Sequence, residues 1–254
     1  METIRQNQGI NRNGLRTWAL MLTAAGLAGR GVIQNHILGV SAVTNSQLMA
    51  MLDSSQGAMM LATVSLVLQL IETCAVPMFA LLLAEGFRHT SDLKGYALRI
   101  TGCALLSEIP YNLLMGRGLA DITRQNPVFG MVLALVVLEF LRRYQGKRLI
   151  QALVVVCALV WCKMLRIDLG GPLVALAVCM DILREKPMYR NLAACAVAVA
   201  CSVSSLFFLV APMGCLMLHS YNGQRSEEEP SRAVTYLAYP VMVLVLALTG
   251  LFLV

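Results

Sequence analysis

Glu85, Arg88 and His89 lie three and four residues apart at the end of one apolar run, and Glu108 lies inside the next. If the helix continues that far, Arg88 and His89 share a face with Glu85. Two chemistries suit that spacing. One is a salt bridge that ends a helix at the lipid headgroups, with Arg88 reaching outward to phosphate. The other is a carboxylate–imidazole pair in which Glu85 orients His89 and raises its basicity, so that the ring takes a proton from an attacking amine or hydroxyl. Glu108 is followed by Pro110 and Asn112. A proline frees a backbone carbonyl one turn earlier, and within a membrane such a group faces protein or a cavity, which turns Glu108 away from lipid. There it is either a protonated hydrogen-bond partner or an acid or base that meets an acceptor amine. An ionisable group at such depth costs roughly 3 kcal/mol even on lenient insertion scales, so it is paired or functional. Arg30, Asn112, Gln125, Asn126 and Asp168 fall near the opposite membrane face, as ordinary interfacial polarity or as parts of one site.

The elements that must hold these groups are apolar. The chain of 254 residues is 58% hydrophobic and only 13% charged, with a mean hydropathy of +0.70, outside the range of soluble globular domains and diagnostic of an integral membrane protein. The expected fold is all-α, a multispanning bundle of about eight or nine transmembrane helices. Candidate spans are 15–33, 58–84, 97–115, 127–141, 149–162, 170–183, 191–218 and 233–254. The second is broken by Pro77 and favours one kinked, tilted helix, while Ala211-Pro212 lets the seventh count once or twice. Residues 34–57 form a polar loop. Residues 1–14 form a non-spanning tail, and 15–254 one domain. The first run has the basic start and small residues of a signal peptide, but a multispanning chain needs no cleaved leader; Ala25 and Gly29 also suit a small-xxx-small packing face.

Arg and Lys gather on alternate loops: Arg5, Arg12 and Arg16, then Arg88, Lys94 and Arg99, then Arg142, Arg143, Lys147 and Arg148, then Arg184, Lys186 and Arg190. The intervening loops hold few, so the N-terminus is expected in the cytoplasm. A net charge of +6 distributed in this way describes membrane orientation and excludes a nucleic-acid-binding face. The eight cysteines lie in or beside apolar runs without a Cys-x-x-Cys pair, as small packing residues do, and no metal site is expected. Phosphate-loop, His-Glu-x-x-His, Gly-x-Ser-x-Gly and dinucleotide-binding motifs are all missing.

The segments V-P-M-F-A-L-L-L-A-E-G-F-R-H-T, L-L-S-E-I-P-Y-N-L and R-Q-N-P-V-F-G-M-V-L-A-L resemble the TraX family of bacterial membrane proteins. In that family an apolar run ends in E-G-F-x-H-T, a span carries S-E-I-P-x-D and Q-N-V-x-F-T opens the next. Weaker echoes follow at Ile167-Asp168-Leu169-Gly170, Tyr221-Asn222-Gly223-Gln224-Arg225 and Tyr239-Pro240. The resemblance implies a multispanning acyltransferase-like fold in the inner membrane and N-terminal acetylation of conjugative pilin, with acetyl-CoA as donor.

The motif positions correspond to Glu85, Arg88, His89, Glu108, Pro110, Gln125, Asn126 and Asp168. On this implication the donor sits at the cytoplasmic face and the acceptor nearer the outer one. His89 is then the base, Glu85 its orienter, Arg88 a clamp for donor phosphate and Glu108 a catalytic group on the acceptor side, with Asn112, Gln125, Asn126 and Asp168 holding the acceptor. Departures also matter. An Asp-His pair in the family's first span is replaced by Ala24 and Ala25, a Tyr-Pro-x-His motif ends in Met242, and the acid after S-E-I-P-x is Asn112. These losses leave open a silent membrane partner of pilin or of the conjugation machinery. A transporter is a third reading, needing a polar path across the bilayer.

Overall fold

The computed structural model describes residues 9–119, 121–224 and 230–253. Helix α1 (Arg12–Leu27) starts where the Asn11 side chain accepts from the Gly14 amide at 2.7 Å, and it runs without a break into a π-helix over Ala28–Ile37. The helix therefore begins inside the expected tail, while residues 1–8, with Arg5, lie outside the described residues. Helix α2 (Asn45–Ser54) opens with a capping box between Thr44 and Gln47. The expected loop over 34–57 is thus helical at both ends, because the box satisfies amides that polarity alone assigned to a loop.

Helices α3 (Gln56–Thr73) and α4 (Ala75–His89) continue one another across a single break at Cys74. The expected kink at Pro77 moves three residues upstream. Pro77 falls in the first turn of α4, where its missing N–H is not needed. The break is covered by the return segment near residue 210: the Thr73 hydroxyl donates to Leu70 O at 2.7 Å and reaches Phe207 O at 3.2 Å.

The rest of the chain is α5 (Leu93–Leu114), α6 (Val128–Arg143), α7 (Arg148–Met164), α8 (Gly170–Ile182), α9 (Pro187–Ala200), two short 3-10 turns, α10 (Pro212–His219) and α11 (Arg232–Phe252). No strand occurs among the described residues, only isolated bridges joining Ile10 to Tyr221 and Gln125 to Ile167. Helix α4 is the central column, buried at nearly every position from Ala75 to Phe87, and it packs on α1 and α8. Helix α6 meets α8 closely because a Cβ at Gly130 would stand 2.8 Å from the Gly170 Cα.

Two ends emerge from the side-chain contacts. Arg16 meets Thr235, Arg88 meets Asp181 and Arg142 lies over the Phe87 ring, gathering the starts of α1 and α11 with the ends of α4, α6 and α8. At the other end Glu108 meets Asn126, Asp168 meets Tyr111 and His36 meets Leu113 O. Outward faces are apolar, including Leu105, Leu106 and Ile109 on α5 and Leu149, Leu153, Val156, Val160 and Trp161 on α7. That is far more contiguous apolar surface than water tolerates on a monomer. By length and apolarity, however, two helical stretches among the described residues suffice to cross a membrane: Gln56–His89, counted across its break, and Arg232–Phe252. The other helices among the described residues, on which an expectation of eight or nine crossings depends, are shorter or less apolar.

Candidate functional site

Glu72 and Arg30 form the most deeply placed ion pair among the described residues. The Glu72 carboxylate, 4% exposed, lies 3.2 Å from an Arg30 guanidinium nitrogen. Each has a local reason for its position. Glu72 closes α3 just before the break, and α1 offers it Gly26, where an added Cβ would stand 2.2 Å from the Glu72 Cβ. Arg30 stands in the π-helix, a rare geometry that recurs at functional sites. A second Arg30 nitrogen reaches Asp168 at 3.5 Å. Asp168 in turn accepts a hydrogen bond from the Tyr111 hydroxyl and lies 3.7 Å from the half-exposed Arg124. Charges of alternating sign therefore run from Glu72 through Arg30 and Asp168 to Arg124 at the end opposite the arginine-rich one. Removing Arg30 would strand the buried Glu72 carboxylate.

On its other side Glu72 borders a cavity of about 180 Å³. Its walls are apolar faces of four helices, including Phe79 and Leu83 of α4, Ile100 of α5, Met131 of α6 and Leu173 of α8. Polar groups come from Thr23, Glu72 and Tyr239 within it and from Arg12, Arg16, Thr235 and the phenols of Tyr96 and Tyr236 where it opens. The Tyr239 hydroxyl is buried and makes no hydrogen bond. Arg12, Arg16, Tyr96, Thr235 and Tyr236 also line a polar vestibule of about 250 Å³ with His89, Arg99 and Arg232. The vestibule and the cavity are consecutive compartments: a cationic mouth, then an apolar shaft, then a carboxylate and a phenol. Four arginines can hold a phosphorylated group there. Arg99 stacks over the Tyr236 ring at 5.8 Å. A carboxylate facing an apolar shaft is placed to take a proton from a nucleophile, and an unpartnered hydroxyl to donate to a developing oxyanion.

The residues expected to form the site divide between these places. His89 lines the vestibule, about 25 Å along the helix axis from Glu72 at ~1.5 Å per residue. The expected carboxylate–imidazole pair is not formed. His89 Nδ1 lies 2.8 Å from the Glu85 carbonyl oxygen, and the Glu85 carboxylate accepts instead from the Tyr221 hydroxyl at 2.5 Å. His89 is the last residue of α4, and its ring folds back along the helix onto the carbonyl four residues earlier. Arg88 is not free to clamp phosphate: it donates to the Asp181 carboxylate at 2.8 and 2.5 Å. Burial, then the hydrogen bond to Glu85 and its charge, push the Tyr221 phenol above the ordinary tyrosine range.

Glu108 does not reach the cavity. It accepts from the Asn126 side chain at 2.5 Å and its amide at 3.2 Å, while Asn126 also donates to Ala104 O and accepts from Val128 N. This pair fastens the start of α6 to α5. Asn112 donates to Asp121 O at 3.0 Å and leaves its amide oxygen buried without a partner. Gln125 acts through its backbone, exchanging hydrogen bonds with Arg166 and Asp168 and so fixing Asp168. Of the expected polar level, Arg30 and Asp168 join the ion-pair chain. Glu72, Tyr111 and Tyr239 escaped sequence reasoning. The signal for Glu72 was its place as the one carboxylate in a long apolar run; for Tyr239 it was the Tyr-Pro echo.

Among the described residues no three His, Cys, Asp or Glu side chains gather in a metal-holding group, and all eight cysteines are free thiols. A family model whose description reads TraX protein matches residues 33–250, most of the chain. Searches of curated proteins and of solved structures give no match.

Proposed function

Because the chain belongs to the TraX family, we propose that it is a multipass inner-membrane acyltransferase that moves an acetyl group from acetyl-CoA to an amine, the N-terminus of membrane-inserted pilin being the acceptor. The observation that carries this reading is Glu72, a buried carboxylate at the meeting point of an apolar shaft and a charged path to the far end. The donor's phosphates meet Arg12, Arg16, Arg99 and Arg232, with His89 at the rim, and its pantetheine arm lies in the shaft. The amine arrives from the end marked by Asp168 and Arg124. Its nitrogen attacks the thioester carbonyl while Glu72 takes a proton from it, and Tyr239 donates to the oxyanion. The C–N bond forms, the C–S bond breaks, and the thiolate leaves as CoA once protonated. The apolar exterior lies in the bilayer, the arginine-rich end faces the cytoplasm, and the eight or nine crossings include the shorter helices, tilted or in a locally thin bilayer.

The test is mass spectrometry of pilin from cells carrying the gene, lacking it, or carrying Glu72→Gln. Acetylated N-termini are expected with the gene alone, falling at least 100-fold with Glu72→Gln. Pilin equally acetylated without the gene removes pilin as acceptor, and full activity of Glu72→Gln removes Glu72 as base. Ala24 and Ala25, immediately before Glu72's neighbour Gly26, favour a second reading, a partner that holds pilin without modifying it. That reading requires conjugation to be unaffected by Glu72→Gln.

A further inference from the structure

The lining of the shaft is chemically mixed. Thr23, Glu72 and Tyr239 from α1, α3 and α11 make its polar wall. The same lining holds Cys103, Val128, Met131, Leu169 and Leu173, from α5, α6, α8 and the approach to α8, and none of these side chains carries a nitrogen or oxygen atom. The spacing explains the wall. Val128 and Met131 are three apart and share one face of α6, Leu173 lies in the first turn of α8 just after Leu169, and the close contact of Gly130 with Gly170 sets the two helix starts side by side. A thioester held with its carbonyl at Tyr239 and Glu72 must direct its acyl substituent into this apolar recess. A methyl group uses little of it, and water has few partners there.

We infer that the recess is an acyl-chain pocket, and that this protein takes thioester donors with linear acyl groups longer than acetyl. The inference rests on the donor reading given above. Val128 and Leu169 set the usable length. The shaft fills from the arginine mouth inward, so the head group sets entry and the recess sets which acyl group is retained.

The experiment is competition binding to the full-length protein in detergent, with labelled CoA displaced by CoA, acetyl-, butyryl-, hexanoyl- and octanoyl-CoA. From acetyl to hexanoyl, each added methylene is expected to tighten binding about fourfold. Val128→Trp and, separately, Leu169→Trp should flatten the series while leaving CoA affinity within twofold, which also certifies that each variant is folded. Partition of longer chains into micelles acts alike on all three proteins and so cannot mimic the difference. A flat series in the unaltered protein, with CoA still bound, overturns the acyl pocket and spares the donor reading. A series equally steep in both Trp variants overturns the pocket too. Failure of CoA and every thioester to bind overturns the donor reading and the pocket with it.

Discussion

Arg30 illustrates how one side chain can be worth more than its own contact. It stands between Glu72 and Asp168, and without it two carboxylates face each other in a dry interior. Arg30→Met should therefore destabilise the protein by about 3–5 kcal/mol. Adding Glu72→Gln should recover part of that loss, because only one stranded charge then remains. Thermal unfolding of the four proteins in detergent closes the cycle, and a double variant no more stable than Arg30→Met alone would contradict the pairing. Little of this was legible in the sequence. Arg30 and Glu72 are 42 residues apart on different helices, so no spacing rule links them, and the apolar run around Glu72 reads first as a span. Asp168, Gln125 and Asn126 were legible as a polar level, because loops at one membrane face share their depth. The Glu85–His89 spacing gave proximity but not chemistry: the imidazole met a carbonyl at the helix end, and Tyr221 took the carboxylate. With its titration raised by burial and by Glu85, Tyr221 keeps its proton, and hence its bond to Glu85, through neutral and mildly alkaline pH. That contribution is complete below the unfolded tyrosine value and is lost only as pH rises through the higher folded one. In Tyr221→Phe, Glu85 loses this donor at every pH, so the alkaline loss of stability attributable to Tyr221 should vanish from pH-scanned unfolding.

Helix boundaries followed from capping more than from hydropathy. Hydropathy marked the apolar stretches near their observed places, yet could not see that Thr44 and Gln47 start a helix inside a polar segment, or that Pro77 is harmless in a first turn. What hydropathy cannot resolve at all is how near two helices come. Gly130 and Gly214 make backbone-to-backbone approaches, the latter with a virtual Cβ only 2.1 Å from Cys74 O, whereas Gly102 has open space. Gly214→Ala should accordingly cost at least 2 kcal/mol through overpacking against rigid backbone, and Gly102→Ala should be neutral or slightly stabilising. Detergent melting temperatures of the two variants provide the comparison.

The arrangement of the whole chain separates two kinds of surface within one bundle. Arginines of α1, α5 and α11 line the vestibule at one end, and the Asp168–Arg124 pair lies at the other. A reporter fused after Gly39 should be active only outside the cytoplasm, and one fused after Gln145 only within it; the reverse pattern would refute the orientation. On the proposed reading, the coenzyme and the peptide never share a doorway. CoA withdraws by the route it used to enter, and the amide leaves toward the opposite compartment. The sole cargo carried through the bilayer is then the acyl fragment itself, so each turnover doubles as the export of a few carbon atoms drawn from the cell's own metabolism.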